Sequence, residues 1–367
     1  MRLLAMVALW FCVNALAQEV ASERVRFRVV TLASGLDHPW SLAFLPDGRM
    51  LVTERPGRLR LIARNGTLSA PLAGLPTVAA QGQGGLLDII ADRDFASNKT
   101  LYFCFSEPGP GGTGSAIARA RLGEVGLDDL RIIFRQSPKA SGGLHFGCRL
   151  VAAPDATLFA TLGERYQRDR AQDLGTHLGK VIRIRTDGSI PPDNPFVNRA
   201  GALPEIWSYG HRNPQGAALH PQTGRLWTHE HGARGGDEIN LPEAGRNYGW
   251  PVITHGIDYS GASIGIGKAA PGMEQPRHFW VPSIAPSGMA FYVGDAFSPW
   301  KGNLLVGALA GQRLVRLELA GDTVKHEERL LADVNQRIRD VRVGPDGLVY
   351  VLTDSSNGRI LRLEPLR

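Results

Sequence analysis

Long amphipathic helical patterns are missing from this chain, and so are basic runs, stacked-aromatic motifs and any internal stretch apolar enough to cross a membrane. The first absence argues against a helical bundle. The second and third exclude a nucleic-acid partner, because the arginines are scattered although the net charge is +6 and the pI about 9.4. Such a balance suits small anionic ligands instead. The glycine-rich run around Gly109 lacks the Gly-Lys-Ser/Thr ending of a phosphate loop and reads as a turn. Cysteine is scarce, with 3 in 367 residues. Cys104 and Cys148 both sit in apolar surroundings (YFCF and HFGCRL), which makes buried free thiols the default expectation.

What the chain does contain is 44 glycines and 24 prolines, the composition of a turn-rich all-β protein. It opens with a secretory leader: Arg2, an apolar core from Leu3 to Val13, and Ala15-Leu16-Ala17 before Gln18. Residues 1–17 are therefore expected to be a signal peptide that takes Cys12 with it, and residues 18–367 an exported domain, most simply periplasmic, with no membrane span.

One pattern recurs six times: an apolar segment, a turn of Pro/Asp/Gly type, and a second apolar segment. The copies are Trp40 to Glu54, Gly85 to Glu107, Cys148 to Glu164, Gly216 to Gly232, Met289 to Leu309 and Arg339 to Ser356. Each reads as a β-hairpin, and several are followed by a further strand, as in RLRLIA or KVIRIRT. Six such units predict a six-bladed β-propeller in one domain, since radial repetition protects the strand edges. The segment from Val25 to Thr31 is expected to complete the last blade.

The polar residues cluster at corresponding strand ends: Gln83, His145, Glu164, Arg212, Asn213, Arg337 and Arg339. In a propeller these ends converge, so all seven are expected around one pocket at the channel mouth. Arg337 and Arg339 alternate with Ile338 and should face one side of a strand. His229 and His231 form a His-x-His pair, but no third nitrogen or thiolate ligand stands nearby. They read as pocket wall and packing.

The segments HFGCRL, QDLGTHLGKVIRI, GHRNPQG, EHGARGGDEINLPEAGRNYGWP and RIRDVRVGPDG together make the chain resemble the PQQ-dependent aldose sugar dehydrogenases of the soluble glucose dehydrogenase type. The likeness covers nearly all of the mature chain. It implies a propeller with PQQ at the channel mouth, calcium bound to PQQ, and oxidation of aldoses at C1 to lactones. It further implies His145 as general base and Glu164 as its orienting carboxylate, where some relatives have Asp. Arg212 is then a catalytic and cofactor-binding cation. The remaining cofactor contacts fall at Gln83, Asn213, Tyr259, Ala308, Leu309, Ala310, Arg337, Ile338 and Arg339. Calcium is implied at the carbonyls of Gly232 and Ala233, with a further calcium site at Glu238 and Tyr248. The run Ser260 to Gly272 is expected to form a flap near the sugar. PQQ is a flat quinone with three carboxylates, so the arginines suit it on chemical grounds. One departure stands out: relatives often carry Lys where this chain has Ala310. Two other readings compete, a calcium-dependent lactonase propeller and a non-enzymatic carbohydrate-binding one. The electron acceptor is left unidentified.

Overall fold

The computed structural model describes residues 18–366; the leader read at residues 1–17 lies outside them. Six antiparallel sheets form the fold, five of four strands and one of five. The six hairpins read from the sequence are the two inner strands of each sheet, beginning at Pro39, Leu86, Gly147, Pro214, Pro286 and Ile338. These first strands touch one another in chain order, and the sixth returns to the first. That closed circuit makes the sheets the blades of a six-bladed propeller.

The hairpin turns follow from their residues. Pro46-Asp47-Gly48 and Pro345-Asp346-Gly347 each end on glycine in the left-handed region, at φ 81° and 74°. The equivalent turn of the third blade has Ala156 there, at φ 60°. Strands are buried on both faces because blade stacks on blade, so the inner ones read as continuous apolar runs. Their side chains fill the gaps between blades; one cluster joins Leu150, Leu158, Ile182 and Phe134 across the second and third.

That same cluster contains Cys104 and Cys148, which are bonded as a disulfide with Cα atoms 5.8 Å apart. The free-thiol expectation is thereby corrected. Apolar surroundings do not distinguish a buried thiol from a buried bridge. Here the second strand of blade two (Thr100–Gly109) meets the first strand of blade three (Gly147–Ala152), which brings both Cα atoms within bridging range.

Where the innermost strands converge, charge replaces apolar packing. Asp88 of blade two accepts from Arg149 of blade three at 3.0 Å and from Arg342 of blade six at 2.6 Å. Asp340 of blade six pairs with the same two arginines at 3.0 and 2.8 Å. Asp88, Arg149 and Asp340 are all buried. The last blade closes as expected: Arg26–Leu36 lies against Gly358–Pro365, with Val29 opposite Leu363 and Thr31 opposite Leu361.

Candidate active site

At one end of the channel a cavity of about 450 Å³ is walled by strand ends of all six blades. This lies within the roughly 300–1,000 Å³ usual for cofactor sites. Its cations are Arg55, Arg337 and Arg339. Strand alternation holds here: Arg337 and Arg339 both face the cavity, while Ile338 between them is wholly buried in the core. Asp354 lies across from the pair, accepting from Arg339 at 2.9 Å and Arg337 at 3.4 Å. Burial alone would raise the Asp354 carboxyl, but the Arg339 charge and hydrogen bond, with Arg337 and Arg55 behind them, hold it at about 2. Trp40 forms a wall, with Arg149 stacked 4.3 Å and Arg339 5.8 Å from its ring centre.

A second, smaller cavity of about 120 Å³ adjoins it over blades three and four. Glu164, Tyr166, Arg212, Trp250 and Tyr259 are among its walls. The single pocket expected from the sequence is thus two chambers, with Arg212 in the second and Arg337 and Arg339 in the first. Arg212 is drawn aside by the turn after blade four's second strand: it donates to the carbonyls of His231, at 3.2 Å, and Gly232. The turn is itself held by Asp237, which accepts from the Gly232 amide at 2.9 Å. His231 lines the first chamber, so the two share this wall.

His145 sits between the chambers. Its amide donates to the Gln83 side chain of the first chamber at 2.8 Å, and its Nδ1 lies 2.5 Å from Glu164 Oε1 of the second. The longer carboxylate of Glu164 therefore reaches the imidazole. Burial lowers the His145 pKa, Glu164 opposes this, and the Arg212 charge adds to the lowering, so the ring is neutral at pH 7. His145 stands at φ 52°, and Cys148, Arg165 and Tyr166 are also left-handed. Such clustering of costly backbone states is characteristic of functional sites.

Arg165 escaped sequence reasoning. It is buried and donates to Gly142 O and Thr113 Oγ1, each at 2.8 Å, and to Leu144 O, with its face on Phe146. It thereby ties down the segment that carries His145. A lone Arg after Glu164 carries no pattern that would have revealed this.

The other sequence candidates divide. Asn213 is buried; its Oδ1 accepts from the Gly147 amide and from Gln215, both at 3.2 Å. Tyr259 lines the second chamber and is 63% exposed. Leu309 walls the first chamber, whereas Ala308 is a core residue and Ala310 is exposed outside both. The Ile338 side chain is in the core and its carbonyl accepts from Ser287 at 2.6 Å, which leaves the oxygen one further lone pair. Arg313 turns back onto the Gly311 carbonyl at 2.6 Å and replaces no cation at Ala310. His229 is buried and His231 bonds the Pro286 carbonyl at 2.6 Å, as packing and wall. The run Ser260 to Gly272 lies against residues 251–254 through bonds such as Ile266 to Val252 O at 2.8 Å, and Ile264 reaches the second chamber.

Ala233 also lines the second chamber. Beneath it a cleft of about 10 Å³, room for about one small ion or water, is bordered by Gly232, Glu230, Glu238 and Tyr248. Asn240 Nδ2 donates to both carboxylates, at 3.1 and 3.2 Å. Burial, then the neighbouring Glu230 charge, pushes the Glu238 carboxyl up to about 8. Glu230 also accepts from His211 Nδ1 at 2.9 Å and the Arg212 amide at 2.5 Å, whereas Asn240 is the side-chain donor to Glu238, so Glu238 is the carboxylate left to take a cation. The Tyr248 hydroxyl is engaged by Leu241 O and the Glu243 amide. Among the described residues no group of three or more His, Cys, Asp or Glu is placed to hold a metal, so carbonyl oxygens would have to complete either site.

Several buried polar atoms in and beside these walls have no partner, among them Arg212 Nε, Arg339 Nε, Asn213 Nδ2, Glu164 Oε2, His38 Nδ1 and Trp250 Nε1. Orphaned groups of this kind fit a polar ligand that engages them. Ring, arginine-lined mouth and carboxylate-held imidazole define a propeller equipped for an anionic ligand beside a base. The chain belongs to the glucose/sorbosone dehydrogenase family, whose model matches residues 36–362. It is 50% identical over 343 residues to the aldose sugar dehydrogenase YliI of Escherichia coli, covering 92% of each chain. The apo-form structure of the soluble aldose sugar dehydrogenase from E. coli superposes with a TM-score of 0.91 at 49% identity, over 93% of this chain and 100% of that one. The PQQ-bound form of the Streptomyces coelicolor aldose sugar dehydrogenase gives 0.77 at 30% identity, over 92% and 98%.

Proposed function

We propose that the protein is a periplasmic, PQQ- and calcium-dependent dehydrogenase that oxidises aldoses at C1 to lactones. The observation that carries this reading is His145, held by Glu164 on one side and Gln83 on the other, at the seam of two arginine-bearing chambers. The names of the relatives and the PQQ-bound neighbour support the same chemistry.

Arg337, Arg339 and Gln83 would hold the cofactor in the first chamber, with Arg212, Asn213 and Tyr259 toward the second. Carbonyls of Gly232 and Ala233 would hold one calcium, and Glu238 with Tyr248 a further one. When bound, PQQ supplies the two-electron acceptor and calcium the charge that polarises it. Glu164 accepts a hydrogen bond from the Nδ1–H of His145, which leaves Nε2 as the basic atom. That atom takes the proton of the sugar C1 hydroxyl as C1 loses a hydride equivalent. The fixed Arg212 charge favours the developing oxyanion. The reduced enzyme would pass two electrons to an acceptor of undefined identity.

The test is reconstitution of the purified protein with PQQ and calcium, followed by dye reduction with glucose. Dye reduction that needs PQQ supports the reading. Lactone opening without PQQ would replace it with the lactonase alternative.

A further inference from the structure

We propose that Arg55 is a cofactor-binding residue of the first chamber, supplying a cation to a carboxylate of PQQ alongside Arg337 and Arg339. This rests on the PQQ reading above. Arg55 follows the second strand of blade one (Met50–Glu54) and lines the cavity directly. Nothing in the sequence set it apart from the other scattered arginines.

The argument is one of charge. Arg337 and Arg339 share one carboxylate, Asp354, so their pair presents less than its formal charge to a ligand. Arg55 is in a different state. The carboxylate next to it in sequence, Glu54, is taken by Arg58 at 2.9 Å. Among the described residues Arg55 has no carboxylate partner; its Nη1 donates only to the Gly82 carbonyl. Asp354, on the wall of the same cavity, feels the Arg55 charge but makes no ion pair with it. The Arg55 field reaches Arg339 as well.

The backbone fixes this placement. The Arg55 amide donates to His38 O, and its carbonyl accepts from Leu86, both at 3.0 Å. Gly85 passes so close that a Cβ there would collide with the Arg55 carbonyl and lie 2.6 Å from its Cγ. The glycine opens the space in which the Arg55 stem lies. A tri-anion entering this chamber would therefore meet Arg55 already positioned and without an ion-pair partner among the described residues.

The experiment is an absorbance titration of the full mature protein with PQQ in the presence of calcium, for wild type, R55K, R55Q and R55M. Removing one charge-assisted contact should weaken PQQ binding roughly tenfold to hundredfold in R55Q and R55M. R55K, which keeps the charge but not the fork, should recover most of it. The salt sensitivity of binding should drop in the two uncharged variants. Unchanged affinity in R55Q and R55M, with wild type binding PQQ, overturns the inference and leaves the parent reading intact. Failure of both variants to fold, judged by circular dichroism, makes Arg55 structural and overturns it equally. No PQQ binding by wild type overturns the parent reading and this one together.

Discussion

His145 Nδ1 and Glu164 Oε1 lie 2.5 Å apart, joining the loop before blade three to the end of its second strand. On the proposed function the carboxylate sets the tautomer, leaving Nε2 unprotonated for the sugar hydroxyl. His145→Ala should lower kcat by roughly 10²–10⁴-fold with PQQ still bound, and Glu164→Gln should cost a comparable factor. Steady-state kinetics with a parallel PQQ titration checks both.

The same pair predicts a pH profile. A base must be unprotonated to act, and burial holds the folded pKa of His145 below the usual value of about 6.5. The acid limb of kcat should therefore fall below that pH. Glu164 is the contact that raises this pKa, so Glu164→Gln should move the limb to still lower pH. A limb that moves upward, or does not move, contradicts the assignment. The sign for stability agrees: a depressed imidazole leaves the unfolded chain binding more protons, so this group's contribution is lost as pH falls below about 6.5.

Glu230 and Glu238 share the single donor of Asn240. A divalent ion bound there should raise Tm by a few °C at saturating calcium, since ligand binding to the native state adds about 2.7 kcal/mol at a hundredfold excess over Kd. EDTA should reverse the gain. Glu238→Gln should melt at nearly the same temperature with and without calcium. A calcium effect that survives this substitution would move the site elsewhere.

The Cys104–Cys148 bond closes a loop of 44 residues across two blades. Loop entropy assigns it about 4 kcal/mol. The double Cys→Ser variant should unfold at lower denaturant, and dithiothreitol should match that loss in wild type while leaving the variant unaffected.

Asp88 answers two arginines from different blades, one of them fully buried. Asp88→Ala leaves Asp340 as the one carboxylate between both arginines and strips the buried Leu150 amide of its acceptor, and should cost roughly 3 kcal/mol in stability. Denaturant unfolding measures it. A loss below about 1 kcal/mol would indicate that Asp340 alone satisfies both arginines.

Much of this architecture is legible in the residues. Pro-Asp-Gly turns between apolar runs mark the hairpins because turn chemistry and strand burial are local. Arg337 and Arg339 could be aimed correctly for the same reason: strand alternation put Ile338 in the core. The chambers could not be foreseen. Their division depends on Arg212 being caught by His231 and Gly232 carbonyls, in a turn shaped by Asp237. Asp354 and Arg55 were equally hidden, because neither belongs to a distinctive motif and both acquire meaning only from what stands opposite. The disulfide escaped because its strands are neighbours through blade stacking and not through sequence.

The pairing of Arg26–Leu36 with Gly358–Pro365 has a bearing on biogenesis. A protein emerging from its N-terminus must keep that first long strand waiting until almost the last residue has arrived. Until then blade six lacks its outer half, and the strand ends bearing Arg337, Arg339 and Asp354 have no settled frame. Clipping the final strand would thus do more than fray an edge. It would unlatch the ring and dismantle the arginine-lined mouth on the far side of the same sheet.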